Sequence, residues 1–350
     1  MATADVTVMG GGIFGLSIAY ACARRGARVR LIERQQIGSG SSGGLVGALA
    51  PHTPENWNPK KQFQLDSLLM APAFWADVAR LSGIDPGFAR AGRVQPLADE
   101  RAIAQAEQRG TQAKSLWRGQ AAWRIEQGQD GWRGHSPTGA WVMDTLSARL
   151  HPRHALRALA AAIGALGGQV REGDIAPPGG LTIWATGAQG LADLSADLGQ
   201  PIGGGVKGQA ALFACDASPF AQLFVDALHI VPHHDGTVAV GSTSERVWND
   251  PSATDARLDD LITKARAACP MLASAPVIGR WAGIRPRAAS RAPVLGAWPG
   301  RPGHFIANGG FKIGFGMAPK VAEVMADLVL DGRADIPEGF RLADCLQTKP

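Results

Sequence analysis

Apolar residues fall into short runs broken by glycine-rich turns, and the first runs carry the clearest pattern. Val6-Thr7-Val8-Met9 is a short, mostly apolar strand, followed by Gly10, Gly12 and Gly15 in the spacing G-x-G-x-x-G. Residues 13–25 then read as a helix, with Ile13, Leu16, Ile18 and Tyr20 among its apolar positions. Gly15, Ala19 and Ala23 recur every fourth residue, so one face of this helix can lie close against a sheet. Gly26 closes the helix. Ala27 to Ile32 forms a second strand that ends at Glu33, completing a β-α-β unit.

Residues 60–82 read as a helix bearing Phe63, Leu65, Leu68, Leu69, Phe74, Trp75 and Val78. Residues 99–110 predict a polar helix, whereas 111–140, rich in Trp and Gly, have no clean period. An Ala-rich helix over 154–166 ends at Gly167-Gly168, and a brief strand follows from Gln169 to Glu172. The turn Pro177-Pro178-Gly179-Gly180 leads into a strand from Leu181 to Ala185. Short alternating segments from 206 to 247 predict an antiparallel sheet. An amphipathic helix over 254–268 follows. The C-terminal part reads as a strand (304–307), a glycine-rich turn (308–316) and a helix (318–330) that starts near Pro319.

Composition narrows the class. The chain has 350 residues, 45% hydrophobic and 19% charged, enough for a sizeable core and two domains. That excludes a disordered chain, a coiled coil and a collagen-like fibre. No apolar run is long enough for a transmembrane helix, and the first ten residues lack the features of a secretory signal. Cys22, Cys215, Cys269 and Cys345 are scattered and form no CxxC pair. Neither a metal site nor a disulfide framework is expected, and a cytoplasmic location fits. The net charge is +5. Its basic residues are spread out, with no clusters beyond pairs such as Arg24-Arg25 and Lys60-Lys61, so nucleic acid is not the expected partner.

The candidate chemistry begins at the glycines. Gly10 permits a tight turn, Gly12 lets the backbone approach a pyrophosphate, and Gly15 lets the helix pack on the strand. The helix N-terminus offers free N–H groups and a positive dipole to phosphates. Glu33 ends the second strand, where a carboxylate can accept hydrogen bonds from ribose hydroxyls. The motif alone does not separate FAD from NAD. The segment that follows favours FAD: Ser39, Ser41, Ser42, Gly43 and Gly44 form a small-residue loop suited to a second phosphate, where a nicotinamide enzyme would alternate strand and helix.

Six segments occur in an order that resembles the FAD-dependent D-amino acid oxidase superfamily, in the branch holding glycine oxidase, sarcosine oxidase and D-amino acid dehydrogenase. They are VTVMGGGIFGLSIAYACARRGARVRLIER (6–34), GSSGGLVGALAPH (40–52), IWATGA (183–188), LHIVPHHDGTVAVGST (228–243), RWAGIRPRAASRAPVLG (280–296) and HFIANGGFKIGFGMAPKVAEVMADLVLDG (304–332). The resemblance implies an α/β (α+β overall) fold. A Rossmann-like FAD domain would comprise 1–85, 141–203 and 281–345, and an antiparallel-sheet substrate domain 86–140 and 204–280. It implies non-covalent FAD held by Gly10, Gly12, Ile13, Phe14, Gly15, Glu33, Arg34, Ser41 and Ser42. Gly47, Ala48, Ile175, Thr186 and Gly187 would add to that site, as would Arg285, Gly309, Gly310, Phe311, Lys312 and Ile313. Ile175 takes the adenine-contact position.

The same resemblance implies that Arg285 grips a substrate carboxylate, with Lys312 as a second cation; Arg287 and Arg291 lie close by in sequence. His52 would line the site and stands with Arg285 and Lys312 as a candidate catalytic residue, although the implied hydride removal needs no strong general base. The implied reaction removes hydride from a small amine or amino acid to give an imine, with oxygen or a carrier as final electron acceptor. His229, His233, His234 and Trp248 read as structural or surface residues. Tyr20, the single tyrosine, lies on the first helix, which excludes a tyrosine-based substrate contact. The family's three-stranded meander before 181 is reduced here to a few residues. No cysteine lies near 281–296 to bind flavin covalently. A tRNA-borne carboxymethylaminomethyl substrate and a non-catalytic FAD-binding subunit are the rival readings.

Overall fold

The computed structural model describes residues 4–346 except 129, 130, 176 and 178. Two sheets organise the chain. The first has six strands in the order Val294–Ala297, His304–Asn308, Leu181–Trp184, Val6–Met9, Val29–Glu33, Gln169–Glu172. All neighbours run parallel except Val294–Ala297, which is antiparallel to His304–Asn308. Val6 and Val8 are fully buried because helices cover this sheet. Helices Ile13–Arg24, Pro59–Ser82, Pro152–Ala165 and Gly314–Asp331 pack on one another, and Gly187–Asp197 lies against His304–Asn308 and the second sheet. The strands Gln169–Glu172 and Leu181–Trp184 follow each other directly, as the shortened connection predicts, although residues 176 and 178 of that turn lie outside the described residues.

The second sheet has eight strands, in the order Val277–Ala288, Gly203–Ala214, Thr237–Gly241, Leu228–Pro232, Gln222–Val225, Arg93–Pro96, Ala140–Asp144, Trp123–Gln127. All pairings are antiparallel except that of Gln222–Val225 with Arg93–Pro96. Helix Ala256–Ala268 covers it through Leu258, Leu261, Ile262 and Ala265. Ala140–Asp144 and Val277–Ala288 pair in this sheet, whereas the division drawn from sequence assigns 141–144 and 281–288 to the other domain.

Three elements depart from the sequence reading. The polar helix runs Glu100–Leu116, past Gly110, because that glycine is a point of close approach: a Cβ there would lie 2.8 Å from the Trp123 carbonyl. The aperiodic stretch contains the strand Trp123–Gln127, and Trp117, Trp123, Trp132 and Trp141 are buried. The C-terminal helix spans Gly314–Asp331, so Pro319 sits inside it rather than at its start. Packing of Gly316 near Leu49 and Leu68 outweighs the weak helix propensity of its glycines.

Candidate active site

The glycine turn is shaped by crowding. Gly10 has φ +109°, and a Cβ there would lie 2.5 Å from the Ala185 carbonyl. A Cβ on Gly15 would lie 1.9 Å from the Gly10 carbonyl, so only glycine lets the helix start so close to the strand. The Glu33 carboxylate accepts from Gly11 N at 2.7 Å and Gln35 N at 2.9 Å, which fixes it at the strand end. Ser42 Oγ accepts from Ile13 N at 3.0 Å, so the Ser41–Gly43 turn sits on the helix N-terminus. Arg153 Nε donates to Gly43 O at 3.0 Å and holds that turn in place.

Both sheets line one cavity of about 1090 Å³. Gly12, Ile13, Phe14, Glu33, Arg34, Ser41, Ser42, Ile175, Thr186 and Gly187 line it from the first sheet and its turns. Ala48, His52, Arg285, Gly310, Phe311, Lys312 and Ile313 also line it. Ile175 is an exposed apolar side chain. Gly15, Gly47 and Gly309 do not line the cavity, contrary to expectation. They sit behind its wall, where a Cβ would lie 1.9 Å from Gly10 O, 1.8 Å from Leu150 O and 2.9 Å from Ala288 Cβ respectively. The cavity exceeds what a small ligand needs. It combines a glycine-lined helix N-terminus with an acid at a strand end, and these residues fit FAD. None of the four cysteines lines it.

Arg285 reaches the cavity from Val277–Ala288 and is 7% exposed. Its Nη1 donates to Ser242 Oγ at 2.6 Å, and its Nη2 donates to Thr243 O at 2.5 Å and Lys207 O at 3.2 Å. Nε is buried without a partner. Burial pushes its pKa down to about 10, opposed by Glu245. Lys312 Nζ lies 5.8 Å from the centre of the Phe311 ring, and Arg285 lies 5.5 Å from the same ring. Burial, then the Arg285 charge, lowers the Lys312 pKa. Among the described residues, no carboxylate forms an ion pair with either cation. Arg287 stands over Phe311 too, but neither it nor Arg291 lines the cavity. Because the C-terminal helix starts at Gly314, its positive end lies at residues that line the cavity, four positions before the expected start.

His52 Nδ1 meets Gln64 Oε1, which also accepts from His52 N at 2.7 Å. Burial holds this imidazole below its ordinary pKa. Sequence reasoning missed part of the second wall. His229, read as structural or surface, lines the cavity together with Arg93, Phe224, Ser242 and Trp281. The alternation in LHIVPHH put His229 on one sheet face, but no local signal shows which face meets the cavity.

Trp248, His233 and His234 do not line it. Elsewhere, His151, His233 and Asp235 bring potential ligand atoms within 4.8 Å of one another. His151 Nδ1 accepts from His154 N at 3.4 Å, which leaves the proton on Nε2, 3.6 Å from Asp235 Oδ2. That tautomer suits donation to the carboxylate rather than metal ligation. Tyr20 bonds Asp77, on the helix Pro59–Ser82. Among the described residues, no helix is long and apolar enough to cross a membrane.

Residues 5–328 match the model of the family described as FAD dependent oxidoreductase. The glycine oxidase of Pseudomonas putida is 29% identical, across 96% of this chain and 98% of its own. That of Geobacillus kaustophilus is 26% identical, across 93% and 92%. The crystal structure of glycine oxidase from Geobacillus kaustophilus superimposes with a TM-score of 0.83 at 24% identity, covering 97% of this chain and 98% of that one. The last match carries the fold, a Rossmann-like FAD domain with a second sheet. The rival readings are not favoured by these relatives.

Proposed function

The chain belongs to the family of FAD-dependent oxidoreductases, and on that footing we propose that it oxidises a small α-amino or N-alkyl amino acid to the imine. One observation carries this reading. Arg285, a buried cation, and Lys312, a more exposed one, have no carboxylate partner among the described residues, and both line the same cavity as the glycine turn of a dinucleotide site. A cation desolvated without a counter-ion is costly unless a ligand anion neutralises it. A substrate carboxylate supplies that anion. Arg285 is steadied by Ser242, Thr243 and Lys207, so it enters the encounter already oriented.

Gly10, Gly12, Ile13, Phe14, Glu33, Arg34, Ser41, Ser42, Ile175, Thr186 and Gly187 are the residues we assign to holding FAD without a covalent bond. Ala48, Gly310, Phe311 and Ile313 would flank the reacting end, and Gly15, Gly47 and Gly309 act by letting backbones close up. When bound, FAD supplies the two-electron acceptor for the hydride that leaves the substrate carbon. Water then hydrolyses the released imine to a carbonyl compound and an amine. His52 lines the site with its Nδ1 taken by Gln64, so it orients rather than removes a proton. We take oxygen or an electron carrier as the final acceptor. The free thiols of Cys22, Cys215 and Cys269 fit a reducing cytoplasm. The division into an FAD domain and a substrate domain follows the two sheets, with 141–144 and 281–288 counted with the second.

Anaerobic addition of glycine, sarcosine, D-alanine and D-proline to the purified flavoprotein tests the proposal. Bleaching of the visible flavin bands by at least one of them is expected. Flavin bands that stay unchanged with all four would overturn it.

A further inference from the structure

Another buried cation faces the cavity, and the carboxylate anchor does not use it. Arg93 is 6% exposed and lines the cavity from the edge of strand Arg93–Pro96. Its Nε donates to Asp144 Oδ2 at 2.9 Å. Asp144 is fully buried and is held in turn by Ser147 N at 2.8 Å and Ser147 Oγ at 3.0 Å. That pairing fixes the guanidinium. Its two terminal nitrogens make no hydrogen bond to the described residues, although the group is almost wholly withdrawn from bulk water. Phe224 lies beneath it, with Arg93 Cζ 5.6 Å from the ring centre, and His229 packs 4.8 Å from Phe224. His229 Nδ1 is buried without a partner. Arg93 and Lys312 both lie near enough to His229 for their charges to disfavour its protonation, after burial.

These donors lie on a residue that lines the cavity, so they are open to a ligand anion there. A substrate as small as glycine engages only the Arg285–Lys312 end. We propose that the preferred substrate carries a second carboxylate, received by the free edge of Arg93 beside His229, while its first carboxylate lies at Arg285 and Lys312. Phe224 supplies the apolar floor under the carbons between the two groups. This rests on the amino acid reading above and narrows it to a dicarboxylic amine. Asp144 balances the charge of Arg93 without occupying its fork, so the fork keeps the planar geometry that matches a carboxylate.

The test uses the holoenzyme. In calorimetric titrations with two non-oxidisable anions, succinate is expected to bind at least ten-fold more tightly than acetate. In steady-state kinetics, kcat/KM for iminodiacetate, which is glycine with a second carboxymethyl group on nitrogen, is expected to exceed that for glycine at least ten-fold. Arg93→Met should shrink both ratios to within two-fold. A variant that merely loosens the fold would lower both members of each pair and leave the ratios intact. If Arg93→Met does not fold, the double variant Arg93→Met/Asp144→Leu removes the buried pair together and carries the same expectation. Equal affinity for succinate and acetate in the wild type, or ratios unchanged in the folded variant, would overturn the proposal. The two readings fail separately. Flavin that no amine reduces refutes the amino acid reading and leaves the succinate measurement to judge Arg93. Reduction by glycine with no preference for either dianion refutes the second carboxylate site alone.

Discussion

The two walls of the cavity are made from different materials. The wall from the six-stranded sheet is built largely from backbone, with a glycine turn, a helix N-terminus and the Ser41–Gly43 turn seated on it. The opposite wall works through the side chains of Arg93, Phe224, His229, Trp281 and Arg285, drawn from four strands. A backbone site is written in one contiguous stretch, because turn, helix and strand must follow each other. A side-chain site is assembled by strand pairing over more than a hundred residues. The first kind tolerates almost no change of shape, whereas the second can change chemistry while its frame stays intact.

Gly15→Val is the harshest trial of that contrast. With a Cβ 1.9 Å from the Gly10 carbonyl, it should abolish FAD retention, read as loss of the visible flavin bands after gel filtration. A variant that keeps its flavin would break the claim that this wall is shape-limited. Arg285→Leu should do the reverse, keeping the flavin bands while kcat/KM for an amino acid falls on the order of 100-fold, as expected for losing a charge-assisted carboxylate clamp.

Lys312→Met comes next, at about ten-fold in KM. Partial desolvation at the cavity, then the Arg285 charge, lowers the Lys312 pKa, so it loses its proton below the ordinary lysine range. The wild-type kcat/KM should fall as pH rises through that range, and the variant should lack that alkaline limb.

The smallest effect is on stability. Burial holds His229 and His233 at about 3 and His151 at about 4, against 6.5 in the unfolded chain. The unfolded chain therefore takes up protons first, so stability present above about pH 6.5 is lost as pH falls toward 4. Tm at pH 5 should lie several degrees below Tm at pH 7.

Legibility in the sequence followed the same divide. The β-α-β unit, Glu33 and the small-residue loop could be read directly, because their chemistry and spacing are local. Arg285 and Lys312 were found only through resemblance to a known family. His229 was placed on the right sheet but given the wrong surroundings, and Arg93 went unremarked. Nothing within a few residues of either reports that Gln222–Val225 runs parallel to Arg93–Pro96 and brings both to one cavity. Gly110 and Pro319 misled as helix boundaries because tertiary contacts at those points outweigh local propensity.

Strand Val277–Ala288 belongs to both walls. It pairs with Gly203–Ala214, setting Arg285 opposite Val206, while Pro286 O accepts from Phe311 N at 2.9 Å and Arg287 bridges to Gly310. In evolutionary terms this strand is a shared constraint. Substitutions at 93, 224 or 229 can drift and retune what the enzyme accepts, because none of them moves the rail. A single inserted residue between Ala282 and Arg285 would turn the arginine to the opposite face of the sheet and shift the glycine-rich turn with it. New specificities in this lineage should therefore arise by point substitution on the far strands, with insertions confined to loops such as 117–122 that touch neither wall.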